Sequence, residues 1–315
     1  MGPPTSPTNL PRFPKADTMS RFAAGPVLMA VIGIGVLSVM DGLIKFVAVA
    51  HSTPQIALMR YVFGGLVALA VFRASGTPWP GRDTLRPHMW RSVVVAGTAL
   101  SFFYALAVLP LAVVLALSFT SPIFIALFAA LILGERPNRS IFVALALGFA
   151  GVLVVLGHEL TEAGRADNVL GLGAALFSAV TYALSMVVLK SRATRDPLPT
   201  IVFLQNGFAM VLLAPLGIIH WTPPAMGELG VFLAIGLLGT TGHLCMARAY
   251  RGADASRLGV LEYTSFIWAV TIGFLVFAEV PTLSTLAGAA LIIGGALIAS
   301  RQPPKVREPE VEVGP

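Results

Sequence analysis

The sequence predicts an all-α integral membrane protein, with ten transmembrane helices arranged as two inverted five-helix repeats. Composition is the first observation behind that expectation. Of 315 residues, 56% are hydrophobic and 11% charged, with a mean hydropathy of +0.84. Soluble domains carry roughly a quarter charged residues, which a water-facing surface requires. Second, the apolar residues fall in long runs, most of them close to the roughly 20 residues that cross a hydrocarbon layer about 30 Å thick. Third, the chain contains an internal repeat. Residues 105–137 read ALAVLPLAVVLALSFTSPIFIALFAALILGERP, and residues 249–281 read AYRGADASRLGVLEYTSFIWAVTIGFLVFAEVP. Aligned without a gap, they share Ala105/Ala249, Leu117/Leu261, Thr120/Thr264, Ser121/Ser265, Ile123/Ile267, Leu131/Leu275, Glu135/Glu279 and Pro137/Pro281. Each copy is a short turn, a long apolar helix and a Glu-x-Pro exit. A weak repeat inside an apolar chain is how many secondary transporters are built.

Residues 1–20 are polar and Pro-rich, so residues 1–24 are expected to form a disordered cytoplasmic tail. The first repeat covers 25–157, with spans at 25–48, 54–72, 92–109, 112–133 and 141–157. GERPNRS is too polar to let the fourth and fifth spans continue as one helix. A periplasmic linker is expected over 158–168. The second repeat covers 169–300, with spans at 169–189, 199–219, 229–248, 256–278 and 283–299, the last two parted by AEVPT with its Pro281. Residues 301–315 are again polar and Pro-rich and read as a second disordered cytoplasmic tail. The first span is too long and too late for a cleaved signal peptide, and residues 26–31 lack a small-x-small cleavage site. Buried soluble helices would explain any one run, but not ten in succession. The sole cysteine, Cys245, lies in the eighth span, which excludes an internal disulfide; it is read as a small packing residue.

The net charge of +6 suggests nucleic acid until its distribution is examined. With the N-terminus in the cytoplasm, eighteen Lys and Arg residues fall on the inner side and only Arg165 on the outer side, leaving Lys45 and Arg60 within spans. Such a bias is the orientation signal of short loops. It implies an even span count with both ends inside, and no nucleic-acid partner. The Pro110 turn then faces outward and its repeat mate around Asp254 faces inward, so the halves enter the membrane in opposite senses. An inverted pair has two nearly equal packings, open to opposite sides, which is the physical basis of alternating access. Small-residue clusters such as GLGAA at 171–175 and GG at 294–295 permit close helix contact, although glycine is common in membrane spans generally.

Polar residues within spans are the candidate functional groups. Arg60 lies six residues after Pro54, about 9 Å into the membrane at 1.5 Å per residue. It either snorkels outward or faces a cavity, where a guanidinium can hold a carboxylate or phosphate bidentately. Asp41 and Lys45 form an i,i+4 pair in the favourable order, either as a mutual ion pair or lining the cavity and exchanging partners. Glu262, a few residues inside the cytoplasmic start of the ninth span, is a candidate for substrate binding or proton coupling, or an interfacial group. Glu135 and Glu279 each precede a span-ending Pro and are read as capping or interface residues. Tyr104, Phe119, Ser121, Tyr182, Asn206, His243, Tyr263 and Trp268 complete the candidates, because aromatic surfaces with a few hydrogen-bonding groups suit an amphipathic metabolite. Helix packing or interface anchoring would explain any one of them. The sequence has no Walker loop after a strand, no HExxH and no CxxC, so ATP-driven pumping and zinc chemistry have no support, and no cofactor is expected.

MDGLIKF (40–46), LMRYVFGG (58–65), residues 102–137, GFAGVLVVLG (148–157) and the second copy at 249–281 together resemble the drug/metabolite transporter superfamily, EamA type. The resemblance spans essentially residues 25–300. It implies a ten-helix bacterial inner-membrane carrier with a central cavity between two five-helix halves, moving amino acids, nucleotide-like molecules, vitamins or drugs. The opening half is most similar to the branch containing S-adenosylmethionine and riboflavin transporters. By this resemblance, Arg60 matches the second-helix R-Y motif, and Asp41 and Lys45 match a first-helix D-x-x-x-K pattern. Arg251 and Arg257 interrupt the usual alanine-rich second turn. The expected function is secondary transport of a small anionic or zwitterionic metabolite, as a monomer or homodimer in the lipid bilayer, and not an enzyme activity. The alternative is a non-transporting membrane scaffold or lipid-handling protein.

Overall fold

The computed structural model describes residues 16–134, 143, 146–148, 150–151, 153–154, 166–252, 258, 261–262 and 264–300. Its helices are α1 (Ala16–Val47), α2 (Thr53–Ala74), α3 (Arg82–Val108), α4 (Leu111–Ser118), α5 (Ser121–Leu133), α6 (Ala166–Ala193), α7 (Leu198–Ile219), α8 (Met226–Gly252), α9 (Thr264–Phe277) and α10 (Leu283–Ser300). Seven stretches among the described residues are long and apolar enough to cross a membrane, with Leu111–Leu133 counting as one. Thr264–Phe277 and Leu283–Gly295 are shorter apolar helices. The protein is thus an all-α, multi-pass membrane protein. The fifth expected span, the linker and both extreme tails fall largely outside the described residues.

Local chemistry explains the helix boundaries. Pro54 occupies the first turn of α2, where its missing N–H has no intrahelical partner to lose. Gly134 closes α5 in the left-handed conformation at φ 70°, its N–H returning to the Ala129 carbonyl. Three boundaries differ from expectation. The first helix begins at Ala16, inside the expected disordered tail. The ninth span is not one continuous helix: Leu258 and Leu261 are helical, Glu262 lies in a turn, and a helix runs on from Thr264. The fourth span is two helices rather than one. Pro122 supplies no N–H to the preceding turn, and Thr120 Oγ1 instead donates to the Leu117 carbonyl at 2.8 Å.

Helices from the two ends of the chain interdigitate. The heaviest packing is α1 on α8, α3 on α6 and α2 on α7, followed by α2 on α8 and α3 on α7. Exchanging α1, α2 and α3 for α6, α7 and α8 maps this set onto itself. Glycines set the closest crossings: a Cβ on Gly236 would lie 2.6 Å from the Gly64 nitrogen, and one on Gly33 would lie 3.2 Å from the Gly242 carbonyl. The outer surface is apolar, with Leu131 73% exposed and Val211 and Ile218 similarly bare. Such a surface is suited to lipid tails.

Candidate functional site

A cavity of about 1040 Å³, its open mouth included, lies among α1, α2, α3, the α4–α5 junction, α6, α8 and the start of α9. Its wall is largely aliphatic and aromatic, with a small set of charged and hydroxyl groups. Arg60, Asp41, Glu262, Phe119, Ser121, Tyr182 and His243, all expected from the sequence, line it.

Arg60 does not snorkel. It is 2% exposed, and its guanidinium carbon lies 4.0 Å from the centre of the Tyr61 ring. Gly239 makes the room, since a Cβ there would lie 3.1 Å from both Nε and Nη2. Arg60 Nη2 lies 3.3 Å from His243 Nδ1, which is also 2.8 Å from the Gly239 carbonyl. One nitrogen cannot donate to that carbonyl and accept from Arg60 at once, so only one contact is a hydrogen bond in either tautomer. Arg60 Nη1 is buried with no partner among the described residues. A guanidinium stays charged, and an unpaired N–H in an apolar wall costs free energy until an acceptor arrives.

Two carboxylates share the wall. Asp41 is buried within Coulombic reach of Arg60, and no hydrogen bond or ion pair reaches it among the described residues. Glu262 is held by hydroxyls: Ser121 Oγ donates to Oε2 at 3.2 Å and the Tyr182 hydroxyl to Oε1 at 3.0 Å. The Tyr250 hydroxyl neighbours the same carboxylate without a well-formed hydrogen bond. Glu262 therefore links α5 to α6 and α9 through polar contacts that a bound proton or cation would rearrange.

Other expected site residues stand elsewhere. Lys45 does not pair with Asp41. Its Nζ lies 3.0 Å from Glu279 Oε1 and donates to the carbonyls of Leu106 at 3.2 Å and Leu109 at 2.6 Å. Glu279 Oε2 in turn accepts the Leu111 N–H at 2.8 Å. The cluster fastens α1, the α3–α4 turn and the end of α9 together beyond the cavity. The i,i+4 partner loses to Glu279 because Lys45 there gains two carbonyl acceptors as well. Tyr104, half-buried on α3, is not in the wall. Asn206 is buried on α7, where its Nδ2 donates to the Val202 carbonyl at 2.8 Å and its side chain packs against Gly64. Trp268, 43% exposed, lies across Gly35 on the outside of α1. Tyr263 lies outside the described residues.

Arg91 was missed. Sequence reasoning puts it in an inner loop, but α3 starts at Arg82 and Arg91 is 1% exposed. Its Nε donates to the Ser185 carbonyl at 3.2 Å, and neither Nη has a partner among the described residues. At the same end, Asp196 in the α6–α7 turn receives Arg192 Nε at 2.7 Å and Nη2 at 3.0 Å, with His88 Nε2 at 3.0 Å. Burial alone would push the Asp196 carboxyl up. The hydrogen bonds from Arg192 and His88 outweigh it and hold the group below the ordinary range. No group of three His, Cys, Asp or Glu side chains suited to a metal occurs among the described residues.

The cavity can thus hold a small molecule by one inward-facing cation, two carboxylates, several hydroxyls and an aromatic rim. Known proteins agree on what such a chain is. It is 30% identical over 276 residues to the "Pseudopaline exporter CntI" of Pseudomonas aeruginosa, covering 87% of this chain and 95% of that protein. It is 22% identical over 262 residues to an "S-adenosylmethionine uptake transporter" of Rickettsia prowazekii, covering 82% and 87%. One crystal structure shares the fold with a TM-score of 0.65 at 22% identity, covering 89% of this chain and 97% of the other. The model of the EamA-like transporter family matches twice, over residues 24–157 and 169–301. The chain belongs to the EamA-like transporter family, whose members are transporters rather than enzymes.

Proposed function

We propose that this protein is a ten-helix secondary carrier of a small zwitterionic or anionic metabolite, working by alternating access between two inverted five-helix halves, 25–157 and 169–300, with both termini in the cytoplasm. The inverted arrangement is supported by the internal repeat, by the two family-model matches and by the helix pairings that survive exchange of α1–α3 with α6–α8. The observation that carries the substrate reading is Arg60, a buried guanidinium in a cavity wall whose Nη1 has no partner among the described residues. It holds the substrate's anionic group, Asp41 faces a cationic one, and Glu262 is the coupling group whose proton load changes its bonds to Ser121 and Tyr182. Phe119 and His243 complete the binding surface, and Lys45 with Glu279 closes the outer end. Relatives named as an exporter and as uptake transporters each match this chain over most of its length, so direction follows from gradients and coupling rather than from the family. Likeness to the latter supports kinship with the S-adenosylmethionine branch.

The test is thermal stabilisation of purified protein by a panel of amino acids, S-adenosylmethionine, riboflavin and nucleosides. At least one compound should raise the Tm of the wild type, fail to do so with Arg60→Ala, and act weakly with Arg60→Lys. An equal rise in a well-folded Arg60→Ala variant removes Arg60 from the site.

A further inference from the structure

Arg91 is a buried charge with no part in the binding scheme of Arg60, Asp41 and Glu262. Its only hydrogen bond among the described residues runs from Nε to the carbonyl of Ser185, a residue of the cavity wall. Both Nη atoms are buried without partners among the described residues, and so is Ser185 Oγ. Asp196, in the α6–α7 turn beside that end of α3, is already occupied by Arg192 and His88. Arg91 therefore stands one side-chain layer behind the cavity, within Coulombic reach of Tyr61, Tyr182 and His243 in its wall. A charge so poorly screened acts across that layer without contact. Its field falls on the Ser185 side of the cavity, while Arg60 supplies the other positive group.

We infer that the substrate carries two separate anionic groups and one cationic group, one anion held by Arg60 and the second seated at Ser185 in the field of Arg91. The cation faces Asp41. Amino acids with a second carboxylate on the side chain are the simplest molecules of this class. Arg60, Arg91 and Ser185 keep buried polar atoms without partners among the described residues, and no hydrogen bond or ion pair reaches Asp41 there. Glu262, already held by two hydroxyls, is left for coupling. A substrate of net charge −1, bound while Glu262 carries a proton, leaves the two arginines and Asp41 balanced. The inference rests on the proposed carrier function and narrows its substrate.

The experiment is counterflow in liposomes containing the full chain, comparing L-glutamate with L-glutamine and L-aspartate with L-asparagine. Wild-type protein should favour at least one dicarboxylate over its monoamide by roughly tenfold or more, the scale of one charge-assisted contact. Arg91→Gln should bring that ratio close to one while monoamide exchange persists, Arg91→Lys should retain much of the preference, and Arg60→Ala should lose both members of the pair. If Arg91→Gln fails to fold, the wild-type preference, read also as a larger Tm rise with the dicarboxylate, and its retention in Arg91→Lys decide the matter. Exchange of monoamides as good as that of every dicarboxylate overturns the inference and leaves the carrier intact, as does a preference that survives Arg91→Gln. Absence of exchange for both classes overturns this inference, and the carrier reading is then decided by the wider metabolite panel.

Discussion

Glu279→Gln should open the outer end of the cavity. The substitution keeps the shape of the side chain but removes its charge, so Lys45 Nζ loses a 3.0 Å ion pair made at side-chain exposures of 12% and 22%. Lys45 retains the carbonyls of Leu106 and Leu109, and an amide oxygen can still accept the Leu111 N–H. The loss should therefore fall short of the ~3–5 kcal/mol that follows when a buried charge is left alone. It should exceed the ~0–1 kcal/mol of an exposed pair. A value of about 2 kcal/mol lies between, and at ~1.4 kcal/mol per tenfold it moves the closed-to-open equilibrium about 30-fold. Ser118 lines the cavity, so Ser118→Cys in a Cys245→Ala background reports opening. A membrane-impermeant maleimide added on the outer side should label it at least ten times faster with Glu279→Gln, in keeping with the equilibrium shift. The charge swap Lys45→Glu with Glu279→Lys should slow labelling again. An unchanged rate in Glu279→Gln refutes the assignment of this cluster as the outer closure.

Glu262→Gln should preserve folding, because Ser121 and Tyr182 keep an acceptor, while transport loses its dependence on the proton gradient; an unaltered pH profile removes Glu262 from the coupling path. Gly239→Ala should fold, because the added Cβ meets only the flexible ends of Met40 and Arg60, yet displace the guanidinium and weaken substrate binding by roughly tenfold, the scale of one lost charged contact. Undiminished affinity there would show that Arg60 has no fixed position to defend. Asp196 has a folded-state pKa below its unfolded value, so its stabilisation is complete above the unfolded pKa and is lost as pH falls through the folded one. Asp196→Asn should lower Tm near neutrality and flatten the decline on the acid side below about pH 4; parallel Tm curves for variant and wild type would contradict this.

The membrane class and most spans were legible because a succession of apolar runs of bilayer length suits a lipid environment and little else. Arg60 and Glu262 were legible for the converse reason, as charges that interrupt such runs. Which way a side chain faces was much less so. Asn206 and Trp268 lie on helices apolar on nearly every side, where no polar face marks the cavity, and the one packs between helices while the other turns outward. Lys45 was assigned its sequence neighbour because the i,i+4 rule sees only local geometry. Its partner Glu279 comes from the other repeat and becomes competitive through the carbonyls of Leu106 and Leu109. Arg91 follows Arg82 and Arg86 at the edge of an apolar run, so it reads as a loop charge; the helix reaching back to Arg82 carries it inside. Pro122 marks the break between α4 and α5, but it sits inside unbroken hydrophobicity, so 112–133 reads as one span.

The most direct test of the carrier reading is counterflow in liposomes that contain only this protein, preloaded with each member of a metabolite panel and supplied with the same compound in labelled form. Transient, saturable accumulation of at least one compound, abolished by Arg60→Ala in a folded protein, is the predicted result. No accumulation across zwitterionic and anionic compounds by demonstrably folded wild type would contradict it, and accumulation indifferent to Arg60 would remove Arg60 from the site.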